Sequence, residues 1–345
     1  MKLFKIIVYN FLIFFSLIII LETIFGYWFK KENFGIYMRK ERKINWQTTS
    51  SFYGENYNFF YKRNFWGFRG EEFDPSDVKI VFEGGSTGNQ RFTPENLTIV
   101  GLLNDKFKNL NHSILIYNAS TDGKSVSGYI NDFNFWFSKI PNFNPKYVIF
   151  YIGINDRFDN FNGRFFLDKK ISEKKIDQIK DYIKNNSFIV DKFKTIKNKY
   201  FPKNTFAYDL SNNNLYENFN YVDFQSALKL HNNISEKNLI LIKNFRAKLN
   251  NLKIKIDELN IQPIFINQLM YDGLKDEKLF LVNNELKNFA IENKYSIISL
   301  DEILIMKKND FFDPAHTTPQ GSKRIADKIF PLLLDFFREN NEIRE

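Results

Sequence analysis

The fold is decided by the stretch Val78–Glu83 (VKIVFE), which runs directly into Gly84-Gly85-Ser86-Thr87-Gly88. A short apolar run that ends in glycines is typical of a buried parallel strand followed by a tight turn. The two glycines let the backbone turn sharply and leave Ser86 at the mouth of the sheet. The stretch therefore predicts a strand with a hydroxyl side chain at its carboxyl end.

Similar apolar runs recur along the chain and alternate with segments of helical spacing. Further strands are predicted at Ser113–Tyr117, Lys146–Ile152, Pro263–Gln268 and 295–300, and helices at 94–110, 125–139, 234–259, 277–292 and 319–338. Strands that alternate with helices of this length favour right-handed crossovers and a parallel sheet covered on both faces. The sequence therefore predicts an α/β fold with five parallel strands.

The regions outside this alternation divide the chain into three parts. Residues 1–34 are expected to form a membrane anchor, 35–75 a linker and lead-in, and 76–340 the main domain. Residues 160–233 are rich in Lys and Asn and show no strand pattern, so they are interpreted as a helical or irregular insert within that domain.

Polar side chains follow several of the predicted strands, where parallel sheets bind their ligands. The second strand ends in Asn118-Ala119-Ser120-Thr121-Asp122-Gly123, and the third ends in Gly153-Ile154-Asn155-Asp156. Asp313-Pro314-Ala315-His316 lies between the fifth strand and the last helix.

These residues include every group that acyl transfer requires: a nucleophile, a base, a group that orients the base, and donors for the oxyanion. Ser86 supplies the hydroxyl, His316 the base and Asp313 the orienting carboxylate. The backbone N–H groups of Ser86 and Gly123 and the side-chain amide of Asn155 are candidate oxyanion donors. We therefore expect a Ser-His-Asp catalytic site.

The blocks FEGGSTG, NASTDG, GIND and DPAH, in this order, resemble those of the SGNH (GDSL-type) serine hydrolases. In that family the residues matching Ser86, Gly123, Asn155 and His316 give the fold its name, and the one matching Asp313 completes the triad. The resemblance covers roughly residues 60–340. It implies a flavodoxin-like three-layer α/β/α sandwich, hydrolysis of an ester through an acyl-enzyme, and no metal or organic cofactor. Residues 64–70 (NFWGFRG) also look like the segment that precedes the first block in membrane-anchored bacterial members.

The chain departs from the family pattern at two of these positions. Gly85 stands where Asp is common, and Ser120 stands where Gly is frequent, so Gly128 is an alternative to Gly123 as the oxyanion glycine. Asp156 matches a common family residue and is interpreted as structural.

Several other polar or aromatic features have simpler interpretations. We expect His112 to be a capping or surface residue and His231 to be solvated. The run Phe133–Phe137 (FNFWF) is expected to form a helix core face, whereas Asn267 and Gln268 either line the pocket or cap a turn.

An apolar run at Ile6–Leu21 precedes the domain and, extended to Trp28, makes a helix of about 35 Å, enough for a hydrocarbon core of ~30 Å. Tyr27, Trp28, Lys30 and Lys31 follow it like an interfacial belt, and no Ala-x-Ala-like cleavage site appears. An uncleaved single-pass anchor through residues 6–28 is therefore expected. The flanking lysines and arginines taken alone place the domain in the cytoplasm, but long domains translocate regardless of such charges, and we expect an extracytoplasmic domain.

The composition excludes several kinds of functional site. The chain has 345 residues, no cysteine, three histidines and a net charge of +9, which excludes disulfides, thiolate metal sites and a cysteine nucleophile. No nucleic-acid-binding motif is recognisable.

The expected partners are an acylated small molecule or glycan and the membrane. The sequence thus predicts a serine esterase acting on an acyl ester, such as an O-acetyl group on a surface glycan. An O-acetyltransferase and a non-catalytic glycan-binding protein on the same fold are the alternatives, and the oligomeric state is left open.

Overall fold

A five-stranded parallel sheet forms the centre of the protein. The computed structural model describes residues 2–26, 28–29, 42–48, 57–158, 175–200 and 219–343. The sheet strands are β3 (Ile80–Gly84), β4 (Ile116–Asn118), β5 (Tyr147–Ile152), β6 (Gln262–Asn267) and β7 (Ser296–Ile298), in the spatial order β4-β3-β5-β6-β7. All neighbouring pairs are parallel, so the predicted five-stranded parallel sheet is confirmed.

The described helices are α1 (Lys2–Phe25), α2 (Ser86–Asn89), α3 (Ile99–Asn109), α4 (Val126–Phe135), α5 (Lys175–Asn186), α6 (Phe188–Tyr200), α7 (Phe224–Leu230), α8 (Glu236–Glu258), α9 (Glu277–Glu292), α10 (Leu300–Ile303) and α11 (Pro319–Glu339). Several begin where a Thr, Asp or Ser side chain accepts a hydrogen bond from a backbone N–H of the first turn, which satisfies a donor that the helix itself leaves unpaired. These capping residues are Thr98, Asp223, Ser235, Asp276 and Thr318.

The helices cover the sheet on both faces and give three layers. β5 is buried at every position, because alternate side chains point into opposite layers. Ile149 packs in the layer with α3 and α11, whereas Phe150 packs in the layer with α4, α8 and α9. The predicted α/β/α sandwich is therefore confirmed.

The sheet order places a topological switch point between β3 and β5. After β3 the chain crosses one face through α3 to β4, and it then returns over the other face through α4 to β5. The two connections leave a crevice at the carboxyl ends of β3 and β5, which is the usual ligand position in such sheets.

The expected linker at 35–75 contains two strands that were not predicted from the sequence. β1 (Arg42–Thr48) and β2 (Tyr57–Arg63) form an antiparallel pair with Arg42 opposite Arg63 and Thr48 opposite Tyr57. Isolated bridges from Arg63 to Arg69 and from Arg69 to Asn118 connect this pair to the edge strand β4. The lead-in is thus built onto the main sheet.

One helix among the described residues is long and apolar enough to cross a membrane. It covers Phe4–Phe25 within α1, with a mean hydropathy of 2.5 and no residue of its most apolar window buried. By length and composition it fits a membrane anchor or a signal sequence. Of the predicted insert, 175–200 and 219–233 lie within the described residues. They contain α5, α6 and α7, together with short segments on both sides of α7.

Candidate active site

Ser86 is the first residue of α2, directly beyond the carboxyl end of β3. Neither of the two glycines before it has a positive φ, and that of Gly85 is −79°, so the backbone conformation does not require glycine here. Glycine is required instead because neighbouring atoms approach both positions closely. A Cβ on Gly84 would lie 3.0 Å from Ser120 Oγ, and one on Gly85 would lie 2.4 Å from Asn155 Nδ2. The sequence signal for a tight turn was correct, but the physical reason for the glycines is the crowding around Ser86.

His316 lies within hydrogen-bond distance of Ser86. Its Nε2 is 2.8 Å from Ser86 Oγ, although the two residues are 230 positions apart in the chain. On the other side of the ring, Nδ1 lies 2.7 Å from Asp313 Oδ2 and 2.9 Å from Oδ1. The structure therefore brings together all three residues predicted as nucleophile, base and orienting group.

The loop that carries Asp313 and His316 is held by its own backbone. Asp313 Oδ1 accepts hydrogen bonds from the N–H groups of Ala315 and His316, at 2.9 and 2.8 Å. Burial alone would raise the pKa of Asp313, but the hydrogen bonds and charge of His316 outweigh it, so the pKa of this carboxyl is lowered. The Asp313 carboxyl is therefore ionised at neutral pH.

Asn155 follows β5, next to the turn that precedes Ser86. Its Nδ2 donates to Lys124 O at 2.8 Å, which uses one of the two amide hydrogens and leaves the other for a ligand. Gly123, in the loop after β4, has a φ of +76° that favours glycine, whereas Gly128 lies in the first turns of α4. Of the two candidate glycines, Gly123 is thus the one in a loop beside the Asn155 partner.

No protein-family model matches the chain, and no curated protein matches its sequence. Among solved structures it is similar to the psychrotrophic esterase EstA from Pseudoalteromonas sp. (12% identity, covering 76% of this chain and 100% of that one, TM-score 0.43). It is also similar to the acetyl xylan esterase AlAXEase (14%, 74% and 100%, 0.40) and to a lipase/acylhydrolase from Enterococcus faecalis (13%, 74% and 95%, 0.40).

A buried charge cluster lies directly behind the site and was not predicted from the sequence. Lys124 Nζ donates to Glu83 Oε2 at 2.7 Å and to Ala119 O at 3.0 Å, and it also pairs with Asp132. The side chains of Lys124 and Glu83 are 2% and 0% exposed. Because burial disfavours the charged form, the pKa of Glu83 is raised well above its usual value even beside the ammonium, and that of Asp132 is raised as well.

This cluster supports the candidate oxyanion donors. Glu83 lies in β3, three residues before Ser86, and Lys124 directly follows Gly123. The carbonyl of Lys124 holds Asn155 while its ammonium is fixed to β3 and α4. The cluster therefore positions the backbone on which Ser86, Gly123 and Asn155 depend.

Two further residues tie the ends of the strands together. Gln268, at the end of β6, donates to Thr87 Oγ1 at 3.0 Å and to Tyr151 O at 2.9 Å, and its Oε1 accepts from Ile154 N at 2.7 Å. Its bond to Ile154 N caps the turn after β5, as one of the two expected roles requires, and it also links the segments that carry Ser86 and Asn155. Asn267 instead donates to Asp301 at 2.6 Å, on the side of β7.

The lead-in motif at residues 64–70 is part of the same support. The Arg69 side chain is fully buried and donates to the carbonyls of Asn89, Gln90 and Thr93, which follow or end α2. Helix C-terminal carbonyls need such donors because the helix leaves them unpaired. Arg69 thus holds the far end of the short helix that begins with Ser86.

The other candidates from the sequence have structural positions. His231 was expected to be solvated, and this was wrong: its Nε2 lies 2.9 Å from Leu274 O, and its ring contacts Phe280. His112 follows α3 and donates its backbone N–H to Phe107 O, as a residue at a helix end does. In the run Phe133–Phe137 three of the aromatic side chains are buried in the core.

Asp156 is buried, and its Oδ1 accepts a hydrogen bond from Val126 N at 3.0 Å. Burial raises its pKa to about 7. Within the described residues no group of three or more His, Asp and Glu side chains is arranged to hold a metal ion.

Proposed function

We propose that this chain is a serine esterase in which Ser86 attacks the ester carbonyl and His316 accepts its proton. The observation that carries the proposal is the continuous hydrogen-bonded series from Ser86 Oγ through His316 to Asp313. This is the geometry by which a serine hydroxyl becomes a nucleophile at neutral pH.

The reaction proceeds in two steps, acylation of Ser86 and hydrolysis of the acyl-serine. Ser86 Oγ bonds to the carbonyl carbon, and its proton moves to His316 Nε2 while Asp313 stabilises the imidazolium. When the tetrahedral intermediate collapses, the carbon–oxygen bond to the alcohol breaks and His316 returns the proton to that leaving group. A water molecule then attacks the acyl-serine by the same route and releases the carboxylic acid.

The oxyanion is bound by the N–H groups of Ser86 and Gly123 and by the second amide hydrogen of Asn155. Donors fixed in advance stabilise the charge that develops on the oxygen without reorganising during the step. The support is that Asn155 is already held by Lys124 O beside the Ser86 turn.

For the substrate we propose a short acyl ester, such as an O-acetyl group on a surface glycan. Ser86 is half-buried and the His316 side chain is 28% exposed, so the nucleophile is partly accessible from solvent. Such access suits an ester carried on a polymer. We further propose that α1 is retained as an anchor and that the domain lies outside the cytoplasm.

The nucleophile is tested with a fluorophosphonate probe, which reacts with activated serines, followed by peptide mass spectrometry. The label is expected on Ser86 and is lost in Ser86→Ala, together with hydrolysis of an aryl acetate. Ser138→Ala, which alters an exposed serine, is the control and keeps both. A label elsewhere, or aryl acetate hydrolysis that survives Ser86→Ala, would refute the proposal.

The substrate and location need separate measurements. Release of acetate from acetylated polysaccharides tests the glycan, and added sugar acceptors show whether the acyl group is instead transferred. A pair of reporters fused after Glu345, one active only inside and one only outside the cytoplasm, tests the side of the membrane. Activity of the cytoplasmic reporter would contradict an extracytoplasmic domain.

A further inference from the structure

Helices α5 and α6 (Lys175–Tyr200, the α5–α6 pair) contact the end of α1 through a carboxylate. Glu22, near the end of the apolar helix, accepts hydrogen bonds from Ser187 Oγ at 2.6 Å and from the backbone N–H groups of Phe188 and Ile189, both at 3.0 Å. Phe188 and Ile189 are the first two residues of α6, so Glu22 caps that helix from another part of the chain.

Aromatic contacts strengthen the same junction. The rings of Phe25 and Phe188 lie 5.2 Å apart, and those of Trp28 and Tyr182 lie 5.6 Å apart. Trp28 Nε1 also donates to Glu22 at 2.8 Å. The α5–α6 pair is therefore fixed to the point at which the apolar helix ends.

The α5–α6 pair carries large apolar side chains that the protein leaves exposed. On α5, Ile176, Ile179 and Ile183 are 66%, 57% and 43% exposed, and their spacing puts them on one face. On α6, Phe193 and Ile196 are 68% and 54% exposed and three residues apart. Exposed apolar residues that share a helix face mark an interaction surface.

The charge of the pair indicates the partner. Its sequence contains seven lysines against three aspartates, and the described Lys192 and Lys197 side chains are exposed. A helix that combines exposed Ile and Phe with lysines is typical of one lying in the surface of an anionic membrane.

We propose that the α5–α6 pair lies in the headgroup region of an anionic lipid bilayer, with Ile176, Ile179, Phe193 and Ile196 inserted among the acyl chains. This inference rests on the proposed anchoring by α1, since a membrane-spanning α1 brings its Glu22 end, and the helices bonded to it, to the bilayer surface. The pair then holds the domain beside the membrane as well as tethering it.

The test uses the full chain reconstituted in vesicles of phosphatidylcholine with phosphatidylglycerol. Because the chain has no cysteine, single substitutions place one environment-sensitive fluorophore at a time. Ile179→Cys and Phe193→Cys report on the pair, and Phe14→Cys reports on the middle of α1. Ile291→Cys on α9, 58% exposed, is the matched apolar control on the domain. Equal melting temperatures of the labelled chains confirm that each is folded.

Lipids that carry a quencher on the acyl chain are expected to quench the labels at 179 and 193 several-fold more strongly than the label at 291. Quenching at 14 with none at 179 and 193 would overturn the inference and leave the anchor standing, as would equal quenching at 179, 193 and 291. Absence of quenching at 14 would instead refute the anchoring and the inference with it. Quenching at 179 and 193 that is the same in pure phosphatidylcholine would overturn the preference for anionic lipid.

Discussion

Replacing Lys124 by Met is expected to destabilise the protein by about 3–5 kcal/mol at pH 7, the usual effect of removing one partner of a buried ion pair. The substitution keeps the length of the side chain but removes the ammonium that Glu83, Asp132 and Ala119 O share. It also leaves two buried carboxyl groups without a cation, which disfavours their ionised forms further.

The loss of stability in Lys124→Met should depend on pH, and the pKa shifts of the two carboxyl groups give its direction. The folded-state pKa values of Glu83 and Asp132 are already raised, and loss of Lys124 raises them more. A group whose folded pKa is raised lowers stability as pH rises above its unfolded pKa, because only the unfolded chain then ionises freely. The deficit of Lys124→Met relative to wild type is therefore expected to be larger at pH 7 than at pH 5.

Urea unfolding in mild detergent, followed by tryptophan emission, measures this deficit in stability. The ring centroid of Trp136 lies 5.3 Å from Lys124 Nζ, so this tryptophan reports on the cluster. Lys323→Met, which alters an exposed lysine, is the control and should change stability by no more than about 0.5 kcal/mol. Adding Glu83→Gln to Lys124→Met should recover part of the loss by removing one uncompensated carboxyl. Equal stability of Lys124→Met and Lys323→Met would refute the reasoning.

Further outcomes are expected at the site itself. His316→Ala should lower esterase turnover as far as Ser86→Ala does, and Asp313→Asn less, because it disturbs orientation and not the proton transfer; a mild His316→Ala would contradict this. Asn155→Ala should lower kcat by about 10²–10³ with little change in KM. Gly85→Ala should act in the same way, because its Cβ would fall 2.4 Å from Asn155 Nδ2, and a rise in KM alone would speak against an oxyanion role. The pKa of Asp156 is raised to about 7, so wild-type stability should fall between about pH 4 and 7 by about 4 kcal/mol relative to Asp156→Asn. Parallel stability profiles of these two proteins would contradict that assignment.

The sheet was predictable because its central strands are continuous apolar runs that end in glycine or polar residues. Tyr147–Ile152 is a six-residue apolar run that is buried at every position, as is typical of a central strand in a parallel sheet. The strand pair β1–β2 was missed because its aromatic and polar residues show no clear alternation. Its place is set by the bridges that continue through Arg63 and Arg69 to β4, which no local pattern shows.

At the site, the sequence indicated which residues meet but not what supports them. Short motifs at strand ends were enough to predict that Ser86, Asp313 and His316 would converge. Lys124 was not recognised, because a lysine after glycine is usually solvated. Its burial depends on Glu83 and Asp132, which lie in two other elements. Gln268 was left undecided for a related reason, since its three partners come from α2 and from the end of β5 and the loop after it.

The separation of Ser86 from His316 also has a consequence for biosynthesis. Asp313 and His316 lie within a single loop, but Ser86 leaves the ribosome 230 residues before His316 does. Domains fold as units while the chain is being made, and His316, the proposed base, is added only after β7. Under the proposed mechanism, a nascent chain therefore carries its serine without its base, and it becomes reactive only after most of the polypeptide has been synthesised.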